Sequence, residues 1–499
     1  MDLTALTPER LKGIRRGIEK ESLRVRADGA LSQQPHPQAL GSALTHPNIT
    51  TDFSEAQLEL ITGPHRTVEG CLLELEEIHQ AVYRRIGEEI LWAASMPCNL
   101  PADNLIPIGR YGTSNVGRAK TVYRIGLSHR YGRRMQAISG IHYNFSLPGV
   151  SSEQYFALIR NFRRHSWLPI YLFGASPAVC SSFVEGRKHP LVELAPGNLY
   201  LPHATSLRMG PLGYQSDAQA SLTVSYNSLD SYTASLYEAL TRPYSAYEKI
   251  GIRNGDDYRQ LSTSLLQIEN EFYGTIRPKR RIRRGERPLH ALRERGVEYV
   301  EVRLMDLDPF VPAGITPLTM RFLDVFLLHC LAGPSPEDTP QEIGEIGRNQ
   351  HAVALKGREK DLPLQRKGSK ISLKDWGLSI VRECEPIAAA LDAAAGGSAH
   401  RDALGEAARR LEDPESTPSA RVLHAMARNH GNSYVRFVLI ESTLHKATLA
   451  SRELSPEAAA RFDALAAKSL AEQRALEAAD KVDFETFRLQ YLSHELLTV

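Results

Sequence analysis

The chain has 499 residues, 42% hydrophobic and 24% charged, which suits one large core or a few medium ones and excludes a disordered chain. Lys and Arg number 60 against 58 Asp and Glu, and the formal net charge of +2 excludes a global pull toward nucleic acid or anionic membrane. Five cysteines, at 71, 98, 180, 330 and 384, stand too far apart for a C-x-x-C motif and read as reduced thiols of a cytosolic protein.

The amino terminus has no basic flank followed by an apolar core, so no secretory signal is expected. Thr7 followed by Pro8 reads as an N-cap and first helical residue, opening a short helix with Leu11 and Ile14 inward. It runs into Gly17-Ile18-Glu19-Lys20-Glu21-Ser22-Leu23-Arg24-Val25. Read as a strand, this stretch puts Glu19 and Glu21 on the face of Leu23 and Val25, their Cα atoms about 7 Å apart. Lys20 and Arg24 alternate to the other face. Two carboxylates on an inward face require a metal ion or a cationic group from elsewhere, unless the strand is half exposed and the acids are solvated.

Beyond a turn-rich connection, Asp52 precedes a stretch, 56–62, whose alternation favours a strand with Leu58 and Leu60 on one face and Gln57 and Glu59 on the other; read as a helix, it would align Glu55 and Glu59 at i, i+4 instead. Apolar residues at helical spacing predict a scaffold helix over 67–89. Gly140 to Ser146 alternates as a strand with His142, Asn144 and Ser146 on its polar face; a lone histidine is more often a structural residue than a ligand, a preference that its polar-face companion Asn144 narrows. Ser151 to Glu153 reads as the start of another helix. The uncharged run 166–184 is long enough to raise the question of a membrane span, but Pro169, Gly174 and Pro177 interrupt it, which predicts a buried strand and loop. Arg208 and Tyr214 lie in a loop-like segment.

Two further strands are predicted, 266–273, with Gln267, Glu269, Glu271 and Tyr273 on one face, and 297–304, with Tyr299, Glu301 and Arg303 opposing Val300, Val302 and Leu304. Between them, 277–287 carries seven basic residues, among them Arg277, Lys279, Arg280, Arg281, Arg283 and Arg284. From Thr316 and Pro317 the chain turns mainly helical, with amphipathic segments near 317–332, 373–394, 418–429, 433–450 and 456–478, and a charged, weakly patterned connection over 334–370.

Acids on or beside several separate strands fit Mg²⁺ or Mn²⁺, which take a few carboxylates together with phosphate oxygens and water. The basic run then supplies counter-charge for phosphates, with Arg277, Lys279 and Arg280 as nucleotide contacts; a solvated loop and a nucleic-acid patch are its rival readings, the latter without interleaved aromatics. Neither a Walker A sequence nor G-x-G-x-x-G is present. The residues alone therefore predict a Mg²⁺-dependent, phosphate-using enzyme on a carboxylate-lined, largely antiparallel sheet.

Gly17-Ile18-Glu19-Lys20-Glu21-Ser22-Leu23-Arg24, Thr50-Thr51-Asp52-Phe53-Ser54-Glu55, Tyr111-Gly112-Thr113-Ser114-Asn115, Ser139-Gly140-Ile141-His142-Tyr143-Asn144-Phe145-Ser146, Tyr171-Leu172-Phe173-Gly174-Ala175-Ser176-Pro177 and Tyr299-Val300-Glu301-Val302-Arg303 together resemble the proteobacterial glutamate-cysteine ligases. The resemblance is collinear over residues 13 to 310 or so and weakens through the helical remainder. It implies an α+β fold related to glutamine synthetase and the guanidino kinases: a funnel-shaped, largely antiparallel sheet flanked by helices, with a mainly helical C-terminal third. It implies one unit over 1–499, with a catalytic core near 10–330 and a helical part near 331–499 packed on it. The implied reaction is ATP-dependent joining of the L-glutamate γ-carboxyl to the L-cysteine amine through a γ-glutamyl phosphate, the first step of glutathione synthesis, with another amine acceptor as the rival on the same scaffold.

Carried over by position, Glu19, Glu21, Asp52, Glu59, His142 and Glu301 resemble the metal shell for two or more Mg²⁺ ions, with Mn²⁺ able to replace them. Arg303 is similar to the phosphoryl or glutamate contact and, with Glu301, makes the catalytic pair. Arg208 is similar to a substrate-carboxylate clamp, and Tyr123, Gln136, Tyr214 and Tyr273 to the lining of the cysteine pocket. Lys20 and Ser22 depart from the arginine and threonine often found in the first motif, but on the face away from the acids. A cytoplasmic monomer, inhibited by glutathione and bound to neither membrane nor nucleic acid, completes the expectation.

Overall fold

The computed structural model describes residues 6–213, 222, 224–283 and 285–497. Its organising element is a seven-stranded antiparallel sheet made of β1 (Arg15–Val25), β2 (Ile49–Thr51), β3 (Gln57–Ile61), β4 (Ile90–Leu91), β5 (Ile141–Ser146), β6 (Ile276–Lys279) and β7 (Tyr299–Met305). The strands lie in the order β6-β7-β5-β1-β3-β2, with β4 paired to the end of β1. Because side chains alternate, the register gives the sheet one apolar and one polar face. Ile18, Leu58, Leu60, Ile141, Tyr143, Phe145, Val300 and Val302 share the apolar face and join the main core cluster. That face is covered by α2 (Val68–Tyr83), α4 (Ser152–His165) and α5 (Pro317–Ala332); α3 (Asn115–Tyr131) lies on the polar side.

Arg16, Lys20 and Arg24 of β1 sit on the apolar face, and each is matched there. Arg16 Nε lies 3.0 Å from Asp324 Oδ2 on α5, and Arg24 Nη1 lies 2.6 Å from Glu89 Oε2. Lys20 Nζ donates to His79 Nε2 on α2 at 2.7 Å; burial pushes the lysine down to about 7 and holds the imidazole well below its ordinary value. These partners explain why none of the three turns toward Glu19 and Glu21. Leu23 and Val25, which share the acids' face further along β1, enter a second apolar cluster with Trp92, Met96, Tyr434 and Phe437.

The C-terminal part continues with α6 (Pro340–Lys356), α7 (Leu373–Ala395), α8 (Pro418–Asn429), α9 (Tyr434–Ser451), α10 (Pro456–Ala479) and α11 (Phe484–Tyr491). One start signal recurs: Thr7, Thr316, Thr339, Thr417 and Ser455 each cap a helix whose first residue is proline. The hydroxyl satisfies an otherwise unpaired N–H, and proline has none to satisfy. The main core cluster runs through both parts, from Leu6 to Leu497.

Several expectations need correction. The connection 334–370 contains α6 and a hairpin, Pro363–Arg366 with Ser369–Ser372; its apolar residues are too few for a strong periodicity, but Val353, Ala354 and Leu364 reach the core. The uncharged run begins as a helix, Trp167–Phe173, before the strand Ala178–Cys180, because Pro169 falls in the first turn, where no N–H is needed. The scaffold helix expected to reach 89 ends at Tyr83. Cys98 and Cys180 are joined in a disulfide with Cα atoms 5.2 Å apart, whereas Cys71, Cys330 and Cys384 are free and buried. Among the described residues, no helix is long and apolar enough to cross a membrane.

Candidate active site

The polar face of the sheet carries a row of residues that cross-strand pairing brings side by side. Glu21 on β1 stands directly opposite Glu59 on β3, and Glu19 directly opposite His142 on β5. Glu301 on β7 pairs with Asn144 on β5 and, on its other side, with Arg277 on β6. Asp52 follows β2, its N–H donating to the Gln57 carbonyl at 3.0 Å. Like charges directly opposite each other destabilise a sheet, so the Glu21 and Glu59 pair is held by the register against its own repulsion.

The hydrogen bonds fix the orientation of these acids. Glu19 accepts from Asn144 Nδ2 at 3.0 Å and lies 3.0 Å from His142 Nδ1 through its other oxygen. Glu21 accepts the Gly140 N–H at 2.7 Å and lies 3.6 Å from His142 Nε2. Glu301 Oε2 accepts from Arg303 at 2.8 Å. Its Oε1 forms an ion pair with Lys279 at 3.0 Å yet is a buried acceptor without a hydrogen bond of good geometry.

Burial and then the Asp52 charge push Glu21 up to about 8, and burial with the charges of Glu19, Asp52 and Glu21 holds Glu59 well above the carboxylate range. Burial opposes ionisation of Glu301 as well, but Lys279 and Arg303 outweigh it and hold its carboxyl well below that range. For Glu19, burial and Glu301 oppose ionisation, while His142 and Lys279 prevail and keep it low. Glu19, His142 and Glu301 offer ligand atoms within 4.8 Å of one another. Hard oxygen donors, one imidazole, an unsatisfied carboxylate oxygen and two acids crowded into protonation are the donor chemistry of a divalent-cation site.

A cavity of about 1050 Å³ opens over this row, lined by Glu19, Glu21, Asp52, Glu59, His142 and Glu301. Tyr123, Gln136, Tyr273, Arg277, Lys279 and Arg303 line it too. Gln136 Nε2 donates to the Tyr273 hydroxyl at 2.8 Å, so these two form one wall. Arg208 and Arg280 are not among the lining residues. Arg208 is 2% exposed and donates from Nη2 to the Arg303 carbonyl, and Arg280 Nη1 donates to the Arg295 carbonyl at 2.5 Å and lines, with Arg277 and Lys279, a smaller cavity of about 430 Å³. Tyr214 lies outside the described residues.

Lys120 and Arg124, one turn apart on α3, also line the cavity, and the sequence reading passed over both. Arg124 stacks 4.4 Å over the Tyr111 ring and donates from Nε to the Asp52 carbonyl. Their i, i+4 spacing, bracketing Tyr123, was the available signal. Glu472 and Leu476 on α10 and Phe487 and Tyr491 on α11 line the cavity as well; the first two read only as amphipathic helix, and the last two lie beyond the segments read from the sequence.

Glu269 and Glu271, expected on a strand with the other acids, form a single 3₁₀ turn instead. Each carboxylate is held by a buried arginine: Glu269 by Arg287 at 2.8 Å and Glu271 by Arg130 at 2.8 Å. Glu271→Gln is accordingly expected to cost about 3 kcal/mol or more of stability by leaving Arg130 buried without its counter-ion, and to leave the midpoint of a Mg²⁺ titration unchanged. A large loss of Mg²⁺ affinity would add Glu271 to the metal shell. In the basic run, Lys279 is paired with Glu301 at 3.0 Å, Arg281 with Glu298 at 3.0 Å, Arg283 with Glu294 at 3.4 Å and Arg287 with Glu269 at 2.8 Å, so much of its charge is matched locally.

The family model for glutamate-cysteine ligase matches residues 3–353. The glutamate-cysteine ligase of Alcanivorax borkumensis is 48% identical over 505 residues, covering 96% of this chain and 96% of its own. That of Pseudomonas fluorescens Pf0-1 is 49% identical over 489 residues, 94% of this chain and 92% of its own. Among solved structures, the glutamate-cysteine ligase of Francisella tularensis in complex with AMP matches with a TM-score of 0.91 at 38% identity, over 96% of this chain and 97% of that one. A bifunctional glutathione synthetase of Pasteurella multocida matches with a TM-score of 0.70 at 27% identity, over 91% of this chain and 56% of that one.

Proposed function

The chain belongs to the glutamate-cysteine ligase family, and we propose that the carboxylate row beneath the cavity is where it activates glutamate. It is an ATP-dependent ligase that forms γ-glutamylcysteine from L-glutamate and L-cysteine, releasing ADP and phosphate. A carboxylate is a poor acyl donor. Attack of a γ-carboxylate oxygen on the terminal phosphorus of ATP breaks the bond to ADP and makes an acyl phosphate; the cysteine amine then attacks the acyl carbon, loses a proton and expels phosphate.

Glu19, Glu21, Asp52, Glu59, His142 and Glu301 would hold Mg²⁺, two or more ions, with Mn²⁺ able to replace it. When bound, such ions neutralise phosphate charge. Arg303, already 2.8 Å from Glu301, is oriented to meet the charge that develops on the transferring phosphoryl. Lys279 and Arg277 extend that cationic wall toward the smaller cavity, which suits the rest of the nucleotide. Arg280, turned to the Arg295 carbonyl, stands at its edge. Tyr123, Gln136 and Tyr273 form the wall assigned to the cysteine acceptor, and Lys120 and Arg124 add cations suited to substrate carboxylates.

The observation that carries this reading is the register placing Glu21 opposite Glu59 and Glu19 opposite His142 beside Glu301. The same proposal includes residues 1–499 working as one unit, a cytoplasmic monomer, glutathione as feedback inhibitor and no nucleic-acid partner, the last supported by the pairing within the basic run. Purified protein with Mg-ATP should release ADP in the presence of both amino acids, with mass detection of a γ-linked dipeptide. ADP release that ignores cysteine, or a product with another acceptor or linkage, would overturn the acceptor assignment.

A further inference from the structure

Arg303 sits at an irregularity of β7. Val302 pairs with Tyr143 and Met305 with Ile141, so Arg303 and Leu304 together stand opposite His142. An extra residue of this kind breaks the hydrogen-bond ladder locally and re-aims the side chains around it. The Arg303 N–H still donates to the Thr275 carbonyl at 2.9 Å, toward β6. Its carbonyl accepts from Arg208 Nη2 at 2.8 Å.

Arg208 is in turn set by Asp306, whose Oδ1 lies 3.8 Å from Arg208 Nη1. Asp306 is 4% exposed, and its carboxylate gathers donors from two separate segments, 175–176 and 206–208. Its Oδ2 accepts the Ala175 N–H at 2.9 Å and the Ser176 hydroxyl at 2.5 Å, and its Oδ1 accepts the Ser206 hydroxyl at 3.0 Å. Space for the guanidinium depends on Gly140, where a Cβ would collide with Arg208. That same Gly140 donates its N–H to Glu21. One buried carboxylate thus ties the bulge that carries Arg303 to the loop that orients Glu21.

We propose that Asp306 is a positioning residue for the ligase reaction: by holding Arg208 under the bulge of β7, it fixes the direction in which the Arg303 guanidinium points. The inference rests on the reading that Arg303 meets the transferring phosphoryl. It gives Arg208 a task in the fold where the family resemblance gave it a substrate contact. A misplacement of about 1 Å at a reacting group costs on the order of 100-fold in rate, so a side chain that never touches substrate is enough to govern turnover.

The test is a double-mutant cycle on kcat, with ADP release as readout and the melting temperature of every variant recorded. Asp306→Asn is expected to lose roughly 30- to 100-fold in kcat. Arg303→Lys alone should lose at least as much, and the double variant should be no slower than Arg303→Lys within about threefold, because the two act through one group. As a control, combining Asp306→Asn with Tyr273→Phe, on the acceptor wall, should multiply the two losses. If the losses of Asp306→Asn and Arg303→Lys multiply, Asp306 acts elsewhere and the proposal fails alone. If Arg303→Lys keeps wild-type kcat, the reading of Arg303 fails and takes the proposal with it. Should Asp306→Asn not fold, Ser176→Ala and Ser206→Ala each remove one hydrogen bond to Asp306; each should lose roughly 3- to 10-fold with the same non-additivity toward Arg303→Lys, and wild-type kcat in both overturns the proposal.

Discussion

Glu19→Gln is expected to lose about 1000-fold or more in turnover while the protein still folds, its melting temperature lowered only slightly. Glu19 occupies the middle of the row, opposite His142 and within reach of Glu301, so the substitution removes one anionic oxygen where cation binding and phosphate transfer meet. Ion-mediated stabilisation of transition-state charge is worth several kcal/mol, and about 1.4 kcal/mol is a factor of ten. Stability changes far less than turnover. Burial and Glu301 oppose the Glu19 charge, but His142 and Lys279 outweigh them, so removing the charge gives up a modest net stabilisation. No cavity opens, and the Asn144 amide bonds a glutamine oxygen as well as a carboxylate. Steady-state ADP release and a thermal melt of the metal-free protein are the two readouts. Turnover within tenfold of the wild type at saturating Mg²⁺, or a loss of turnover no larger than unfolding of the variant accounts for, would count against the assignment.

The two acids of β1 were legible because period-two alternation is a property of a single strand; Glu19 and Glu21 had to share a face, and so did Glu301 and Arg303. Which acid faces which is a property of pairing, and no strand alone carries it: that Glu21 opposes Glu59 follows from a register between residues 38 positions apart in the chain. The same blindness produced the misreading of Glu269 and Glu271. Their spacing imitates β1, but the arginines that neutralise them come from 18 and 141 residues away, so local reading left their charge unassigned. The 334–370 connection failed differently. Thr339 and Pro340 repeat the start signal of Thr316 and Pro317, and attention to apolar periodicity hid a cap already written in the chain. Lys120 and Arg124 escaped because two cations on an exposed helix look solvated until the strands opposite them are known to be acidic.

Removing divalent cations should destabilise the protein more near pH 8 than near pH 6, a direction set by Glu21 and Glu59. In the metal-free fold, burial and the Asp52 charge raise Glu21 to about 8, and burial with its acidic neighbours holds Glu59 well above the carboxylate range, whereas both carry an ordinary value of 4.5 in a solvated chain. Between those limits the native state binds protons that the unfolded state has released, so the stability of the metal-free protein falls as pH rises through the window. Glu301 and Glu19 are shifted the other way, and their contribution is lost only as pH falls below the ordinary carboxylate range. Ligation requires the ionised carboxylates, so Mg²⁺ must displace the protons on Glu21 and Glu59, binding more tightly as pH rises and releasing protons as it does. An ion at 100 times its dissociation constant adds about 2.7 kcal/mol. Calorimetric melts with excess MgCl₂ and with a chelator, taken near pH 6, 7 and 8, should therefore show a Mg²⁺-dependent gain that grows with pH, and titrations in buffers of different ionisation enthalpy should show proton release that shrinks in Glu21→Gln. A gain that is flat or falls with pH, or binding without proton release, would mean that the crowded pair is not where the ion is held.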